Sequence, residues 1–369
     1  MIKDIVFKKE PLVRMVKRDS ISRTKSWEIR LIAILLSLIV VAILIVAATG
    51  QNPFQIYGGI ISGAVGTSRR AWVTIREILI LLVIAVGLTP AFKMKFWNIG
   101  AEGQVLMGGI ATASLMIYGA GRMPNWLLLV VIVIVSAIAG MIWGLIPAIF
   151  KAYFNTNETL FTLMLNYVAM QLVNFCIVFW ESPAGSNTVG IINPKTQQGW
   201  FPDIFGNSYI LIIIIVTVIT VGVHIYMKYS KQGYEVAVVG ESENTAKYAG
   251  INVKKVIIRT MMISGAICGI AGCLIVSGAS HTISTSTAAG RGFTAIIVAW
   301  MSKFNPWVML LVSAFLIFMK QGSIQIATAY NLNKNASDII TGILLFFLIG
   351  CEFFVEYRLE FRKKKREEV

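Results

Sequence analysis

Long apolar runs separated by short polar or basic breaks dominate this chain. Residues 31–48 (LIAILLSLIVVAILIVAA) are apolar apart from Ser37. Comparable runs follow at roughly 77–92, 97–118, 126–150, 159–180, 208–227, 256–277, 292–302, 307–320 and 338–355. A helix crossing the hydrocarbon core needs about 20 mostly apolar residues. The pattern therefore predicts an all-α polytopic membrane protein with about ten transmembrane helices, some short or broken. The 292–302 and 307–320 segments are the short ones, divided by Lys303-Phe304-Asn305-Pro306. Proline disfavours helix in the residue before it, so two steep short spans and one broken helix both fit. A cleavable signal peptide carries an apolar core of about 7–15 residues near its start. The 31–48 run is longer and begins later, and is read as an uncleaved first span.

Composition sharpens this picture. The chain has 369 residues, 56% of them hydrophobic and 14% charged, with a mean hydropathy of +0.74. An ordinary soluble domain carries about 25% charge, so a cytosolic globule and a disordered chain are excluded. The formal net charge is +15. The basic residues gather in tails and loops between apolar runs, where the positive-inside bias explains them without nucleic acid as a partner. Three regions follow: a basic cytoplasmic N-terminal tail (1–30), a transmembrane domain (31–357) and a basic cytoplasmic C-terminal tail (358–369) with Arg358, Arg362, Lys363, Lys364, Lys365 and Arg366. The 228–255 loop, with Lys228, Lys231, Lys247, Lys254 and Lys255, is assigned to the cytoplasm. The 181–207 loop, with only Lys195, is assigned outside. Arg69, Arg70 and Arg76 fall on the wrong side of that scheme. Residues 51–75 are accordingly expected to form an interfacial or partly re-entrant helix whose arginines snorkel to headgroups.

Reactive chemistry is sparse. The sequence holds no GxxxxGK[ST] phosphate loop, no HExxH and no GxSxG, so neither its own ATPase site nor a cofactor or metal is expected. Cys176, Cys268, Cys273 and Cys351 all lie in apolar runs without a CxxC pair. His281, in SGASHTISTST, has hydroxyls around it but no acid nearby to orient it, and reads as part of a polar outer turn.

Three segments stand out. Phe96-Trp97-Asn98-Ile99-Gly100-Ala101-Glu102-Gly103-Gln104 puts a carboxylate, two amides and two glycines at the start of an apolar run. Ionisable groups in a span cost about 2.5–3.5 kcal/mol on insertion scales and usually face a bundle interior or an aqueous path. Glu102 and Gln104 either line that path or hydrogen-bond a neighbouring helix and fix packing. Gly290-Arg291-Gly292-Phe293-Thr294 opens another short apolar helix in a similar way, and the two could be corresponding elements of two halves. There Arg291 is either part of the path or an interfacial anchor. The candidate path is thus Asn98, Glu102, Gln104, Arg291 and Thr294. Finally, residues 240–251 (GESENTAKYAGI) read as a short capped helix with a small-residue face at Ala246, Ala249 and Gly250; a docking element and a solvated connector are both open. GxxxG occurs at Gly140–Gly144 and Gly265–Gly269 and allows close helix packing.

Asn52-Pro53-Phe54, FWNIGAEGQ at 96–104, GESENTAKYAGI at 240–251 and GRGFTAIIVAW at 290–300 together resemble the permease subunits of bacterial ABC importers for nucleosides and simple sugars. The nucleoside branch is the best match, over most of residues 50–355. The resemblance implies a translocation path for nucleosides, formed with a second permease subunit in the cell membrane. It also implies a separate cytoplasmic ATP-binding subunit and an extracellular substrate-binding lipoprotein. On this resemblance residues 240–251 are the coupling helix, including Gly240, Glu241, Ala246, Ala249 and Gly250. A permease for simple sugars or branched-chain amino acids, a secondary transporter and a membrane-bound enzyme are the alternatives.

Overall fold

In the computed structural model, residues 13–18, 21–50, 52–204, 206–331 and 335–361 are described. Most of the basic residues expected in the tails, at 1–12 and 362–369, lie outside the described residues. The chain divides into two compact units, residues 67–317 and residues 1–66 with 318–369.

The second of these holds β1 (Val13–Lys17), α1 (Arg23–Thr49), α2 (Pro53–Val65), the distal part of α12 (Pro306–Ala329), α13 (Asn335–Glu356) and β2 (Tyr357–Phe361). Helix α1 begins at Arg23, eight residues before the apolar run, because the Ser22 hydroxyl accepts from the Lys25 amide at 3.3 Å. Its charged first turns also find a partner: Arg30 bonds Glu352 of α13 at 2.6 Å. Strands β1 and β2 pair antiparallel, with Val13 opposite Phe361 and Lys17 opposite Tyr357. These two segments therefore share one side of the membrane, as an even number of crossings requires. The expected tails 1–30 and 358–369 thus contribute ordered structure at their inner ends.

Residues 67–317 contain α3 (Ser68–Lys93), α4 (Ala101–Gly119), α5 (Asn125–Phe154), α6 (Glu158–Trp180), α7 (Ile210–Tyr229), α8 (Lys231–Glu241), α9 (Glu243–Tyr248), α10 (Val253–Ile275, ending in a π-helical turn at Val276–Ser280), α11 (Arg291–Met301) and the start of α12. Among the described residues eight helices are long and apolar enough to span a membrane. Helices α4 and α11 take the places of the remaining two expected spans, and α11 has only 11 residues, about 16 Å. The break after it is a turn in which Lys303 and Phe304 both have positive φ, and α12 then runs its full length. Residues 51–75 are two elements, not one interfacial helix. Helix α2 stops at Val65, and the Thr67 hydroxyl caps a new start for α3 by accepting from the Arg70 amide.

The centre of residues 67–317 is α10, packed against α3, α4 and α5. Its two-sided approach depends on glycine. A Cβ on Gly140 would fall on the Gly265 carbonyl, and one on Gly269 on the Ser136 carbonyl. On the other side, a Cβ on Gly108 would fall on the Gly269 carbonyl and one on Gly272 on the Val105 carbonyl. The two GxxxG motifs pack against each other. Lipid gives helices no hydrophobic force for association, so close van der Waals contact of this kind holds membrane bundles together.

This packing yields a paired test. Gly269→Ala should lower the melting temperature of the purified chain markedly, since one methyl in that contact costs about 1–3 kcal/mol. Gly222→Ala, on a stretch of α7 with open space around it, should leave melting unchanged within a degree or two. Equal melting of the two variants would contradict the packing argument.

Candidate functional site

Between α3 and α4 the chain re-enters the bundle as irregular backbone, where water is not at hand to satisfy amides and carbonyls. The polar residues of 96–104 and of α6 do so. The Ile99 amide donates to Thr162 Oγ1 at 3.2 Å, and Asn166 Nδ2 donates to the Ile99 carbonyl at 2.9 Å. The Gly103 amide donates to Asn166 Oδ1 at 2.9 Å and the Gly100 amide to Asn98 Oδ1 at 3.0 Å. Asn98 Nδ2 in turn donates to Gln104 Oε1 and to Ser264 Oγ of α10, both at 3.3 Å. Asn98, Glu102 and Gln104 are all buried. Within this subunit they work as packing and backbone-satisfying groups.

Glu102 joins the two short helices. Its carboxylate accepts from the Gly290 amide at 2.7 Å and the Gly292 amide at 2.8 Å. Two of the amides that open α11, which have no partner within the helix, are thereby satisfied, and the negative charge sits at the positive end of the helix dipole. Gly292 is needed for the approach, since a Cβ there would lie 2.5 Å from the Glu102 amide. The start of α4 and the start of α11 are thus one structural junction, bringing together two segments that sequence reasoning had only paired by likeness.

Arg291 faces away from that junction, into an ion cluster. Glu77 of α3 bonds Arg76 at 2.7 Å and Arg291 at 2.5 Å, and Arg291 also donates to the Thr287 and Ala288 carbonyls. Arg76 lies over the Tyr209 ring at 5.2 Å, so it turns inward instead of snorkelling. Glu77, Thr162, Asn166 and Ser264 were absent from the sequence-derived site. The available signal was the same for all four: an isolated polar side chain within or opening an apolar run. Thr294 donates to the Gly290 carbonyl at 3.1 Å and stabilises the first turn of α11. The open surface beside the junction is aromatic. Trp97 and Trp300 stack at 5.3 Å and are 45% and 41% exposed, with Phe92 edge-on to both.

At the far end of the same unit, residues 240–251 differ from a single docking helix. Gly240 and Glu241 end α8, whose Gly240 packs against the Lys93 carbonyl at the end of α3. Ser242 breaks the helix and caps α9 by accepting from the Thr245 amide at 3.3 Å. Gly250, with φ 76°, closes the turn. Ala246 is fully buried among Met94, Phe96, Val239 and Val256, because α9 uses that side to seat on α8 and α10. The expected small-residue face is therefore divided: Ala246 points inward, whereas Ala249 and Gly250 are exposed beside Tyr248, which is 94% exposed. Helix α7, about 30 Å long, separates this end from the 181–207 loop. There His281 stacks on Trp200 at 3.7 Å. Burial, with Arg76 close by, holds its imidazole below its ordinary pKa, and His281 serves as a packing residue of the outer turn.

The junction predicts distinct consequences for two Glu102 substitutions. Glu102→Ala strands buried amides of α11, at about 1–3 kcal/mol per lost bond, and should reduce both the yield of folded protein and its melting temperature. Glu102→Gln keeps one good acceptor and should melt between Ala and wild type. A Glu102→Ala protein of wild-type stability would show that the carboxylate does not hold α11.

The chain matches the family model described as "Branched-chain amino acid transport system / permease component" over residues 72–349. It is 28% identical to a guanosine ABC transporter permease of Bacillus subtilis, over 91% of this chain and 96% of the relative. It is 27% identical to a nucleoside ABC transporter permease of Lactococcus lactis, over 92% and 94%. A glucose ABC transporter permease of Haloferax volcanii is 26% identical over 76% of each chain. No solved structure matches it significantly. The family match spans the whole of the α4–α11 junction and the α8–α9 turn, and the chain belongs to the branched-chain amino acid transport system permease family, as a multi-pass protein of the cell membrane.

Proposed function

We propose that this chain is the permease subunit of an ABC importer that carries nucleosides across the cell membrane, powered by a separate ATP-binding subunit. The observation that carries the substrate class is the near full-length similarity, in both directions, to permeases named for guanosine and for nucleosides. The glucose permease, similar over a smaller share, supports simple sugars as the second reading. A substrate-binding lipoprotein outside and a second permease subunit beside this one complete the assembly.

On this reading the work is alternating access, with no bond made or broken on the chain itself. The path runs along the open surface beside the α4–α11 junction, where the Trp97–Trp300 stack offers its outer faces, with Thr294 near the start of α11 and Arg291 held behind it by Glu77. Asn98, Glu102 and Gln104 act behind it: they hold two short helices in a fixed relation so that movement of one moves the other. The α8–α9 turn is the coupling element, and its seat against the end of α3 leads from the ATP-binding subunit toward the junction. The ring faces suit a flat heteroaromatic base, whose stacking is tolerant of base identity.

The function is tested by uptake. Cells carrying the complete system should accumulate labelled guanosine or uridine. Excess unlabelled nucleosides should compete, and excess glucose should not. Competition by glucose alone would move the assignment to sugars, and uptake that survives ATP depletion would mean a secondary carrier.

Coupling is tested separately. Ala249→Trp places bulk on the exposed end of α9 and should sharply reduce co-purification of the ATP-binding subunit and ATP-driven uptake, with the chain's melting temperature unchanged. Ala246→Trp, directed into the core, should destabilise the chain itself. Normal uptake and subunit association in Ala249→Trp would make the turn a connector.

A further inference from the structure

Helix α7 borders two adjoining cavities that differ sharply in chemistry. One, of about 200 Å³, is an apolar slot along the middle of the helix, lined by Leu79 and Leu82 of α3, Val216 and Val221 of α7, and Trp307 and Leu310 of α12. The other, of about 450 Å³, lies at the end of the same helix and is bordered by Lys93, Lys228, Lys303 and Asn305. The two adjoin, since His224 and Pro306 border both.

The three lysines come from three separate places in the sequence: the last turn of α3, the last turn of α7 and the α11–α12 turn. No carboxylate lines either cavity, and among the described residues none of the three lysines has an ion-pair partner. Lys303 is presented by a turn in which it and Phe304 both adopt positive φ, at 47° and 61°. That left-handed conformation costs a non-glycine residue about 1–2 kcal/mol. From Val216 to Lys228 along α7 is about 18 Å, close to the roughly 15 Å of one leaflet's hydrocarbon. The lysine end is also the end that carries α8 and α9, which the positive-inside bias assigns to the cytoplasm.

We infer that this paired cavity is a binding site for an anionic phospholipid of the cytoplasmic leaflet. One acyl chain lies in the slot between α3, α7 and α12, and the phosphate sits among Lys93, Lys228 and Lys303. Basic pockets between spans at the cytoplasmic side are suited to such headgroups, and the adjoining apolar slot is what separates a lipid from a free anion. The bound lipid fills the space beside α7 and fastens the α11–α12 turn to the ends of α3 and α7. It thereby links the short helix of the junction to the membrane's anionic surface.

The test uses the full chain, purified in mild detergent with whatever subunits accompany it. Phosphatidylglycerol, phosphatidylcholine and inorganic phosphate are titrated at matched ionic strength, with melting temperature and lipid retained in native mass spectrometry as readouts. Phosphatidylglycerol should raise melting by several degrees and stay bound, while phosphatidylcholine and phosphate should do neither. Lys228→Gln combined with Lys303→Gln should weaken phosphatidylglycerol binding roughly 30-fold, since each lysine near an anionic surface counts for about a five-fold effect. Thr217→Trp, which fills the slot without touching a charge, should also lower retention. Both variants should melt like wild type in lipid-free detergent, which keeps a folding defect distinguishable. Equal effects of phosphatidylglycerol and phosphatidylcholine would overturn the proposal. So would an effect of phosphate equal to that of the lipid, or unchanged retention in both variants. Loss of the ATP-binding subunit from the lysine variant with lipid retention intact would assign the lysines to a protein contact instead.

Discussion

Backbone-to-backbone contact between α10 and its neighbours α4 and α5 is the constraint on which the rest of residues 67–317 depends. Gly140, Gly265 and Gly269 on one side, and Gly108 and Gly272 on the other, leave no room for even one methyl. In lipid there is no apolar surplus to drive helices together, so this contact cannot be exchanged for a larger hydrophobic side chain. It fixes the position of α4 against α10, and with it the height at which Asn98, held by Gln104, meets Ser264.

Given that frame, the polar residues of the junction follow from a single requirement. Two helices start inside the bundle, and each begins with amides that find no partner within the helix. Asn166 and Thr162 answer for α4, and Glu102 answers for α11. The charge of Glu102 is matched to a helix dipole, whereas that of Glu77 is matched to two guanidinium groups. The first is a connection between the starts of two helices. The second is a local knot, in which removal of Glu77 would leave two neighbouring guanidinium charges uncompensated.

Much of this was legible from the chain alone. The apolar runs located the long helices in order, because length and hydropathy are enforced by the bilayer itself, although eight of the described helices, not ten, are long and apolar enough to span. The 96–104 and 290–294 segments were singled out because polar groups in apolar runs require a reason. What the residues did not show was how they pair. That Glu102 reaches Gly290 and Gly292 depends on three-dimensional placement across nearly 190 positions, and no local pattern encodes it. The two GxxxG motifs likewise gave the capacity for close approach without naming the partner. The division of 240–251 was missed for a different reason. Ala246 and Ala249 look equivalent as small residues, and only the direction of a six-residue helix decides that one is core and the other surface.

The pairing of Val13–Lys17 with Tyr357–Phe361 sets a schedule for the chain's own manufacture. Strand β1 leaves the ribosome early, and its partner follows only after about 340 further residues have been made. At about 5–20 residues per second, β1 waits roughly 20–70 s with its hydrogen-bonding edge unpaired. During that interval all of residues 67–317 can be inserted and packed. The β1–β2 pair therefore closes only after the intervening helices have been made, and a nascent chain that stalls before β2 keeps an open strand edge, a template for unwanted pairing.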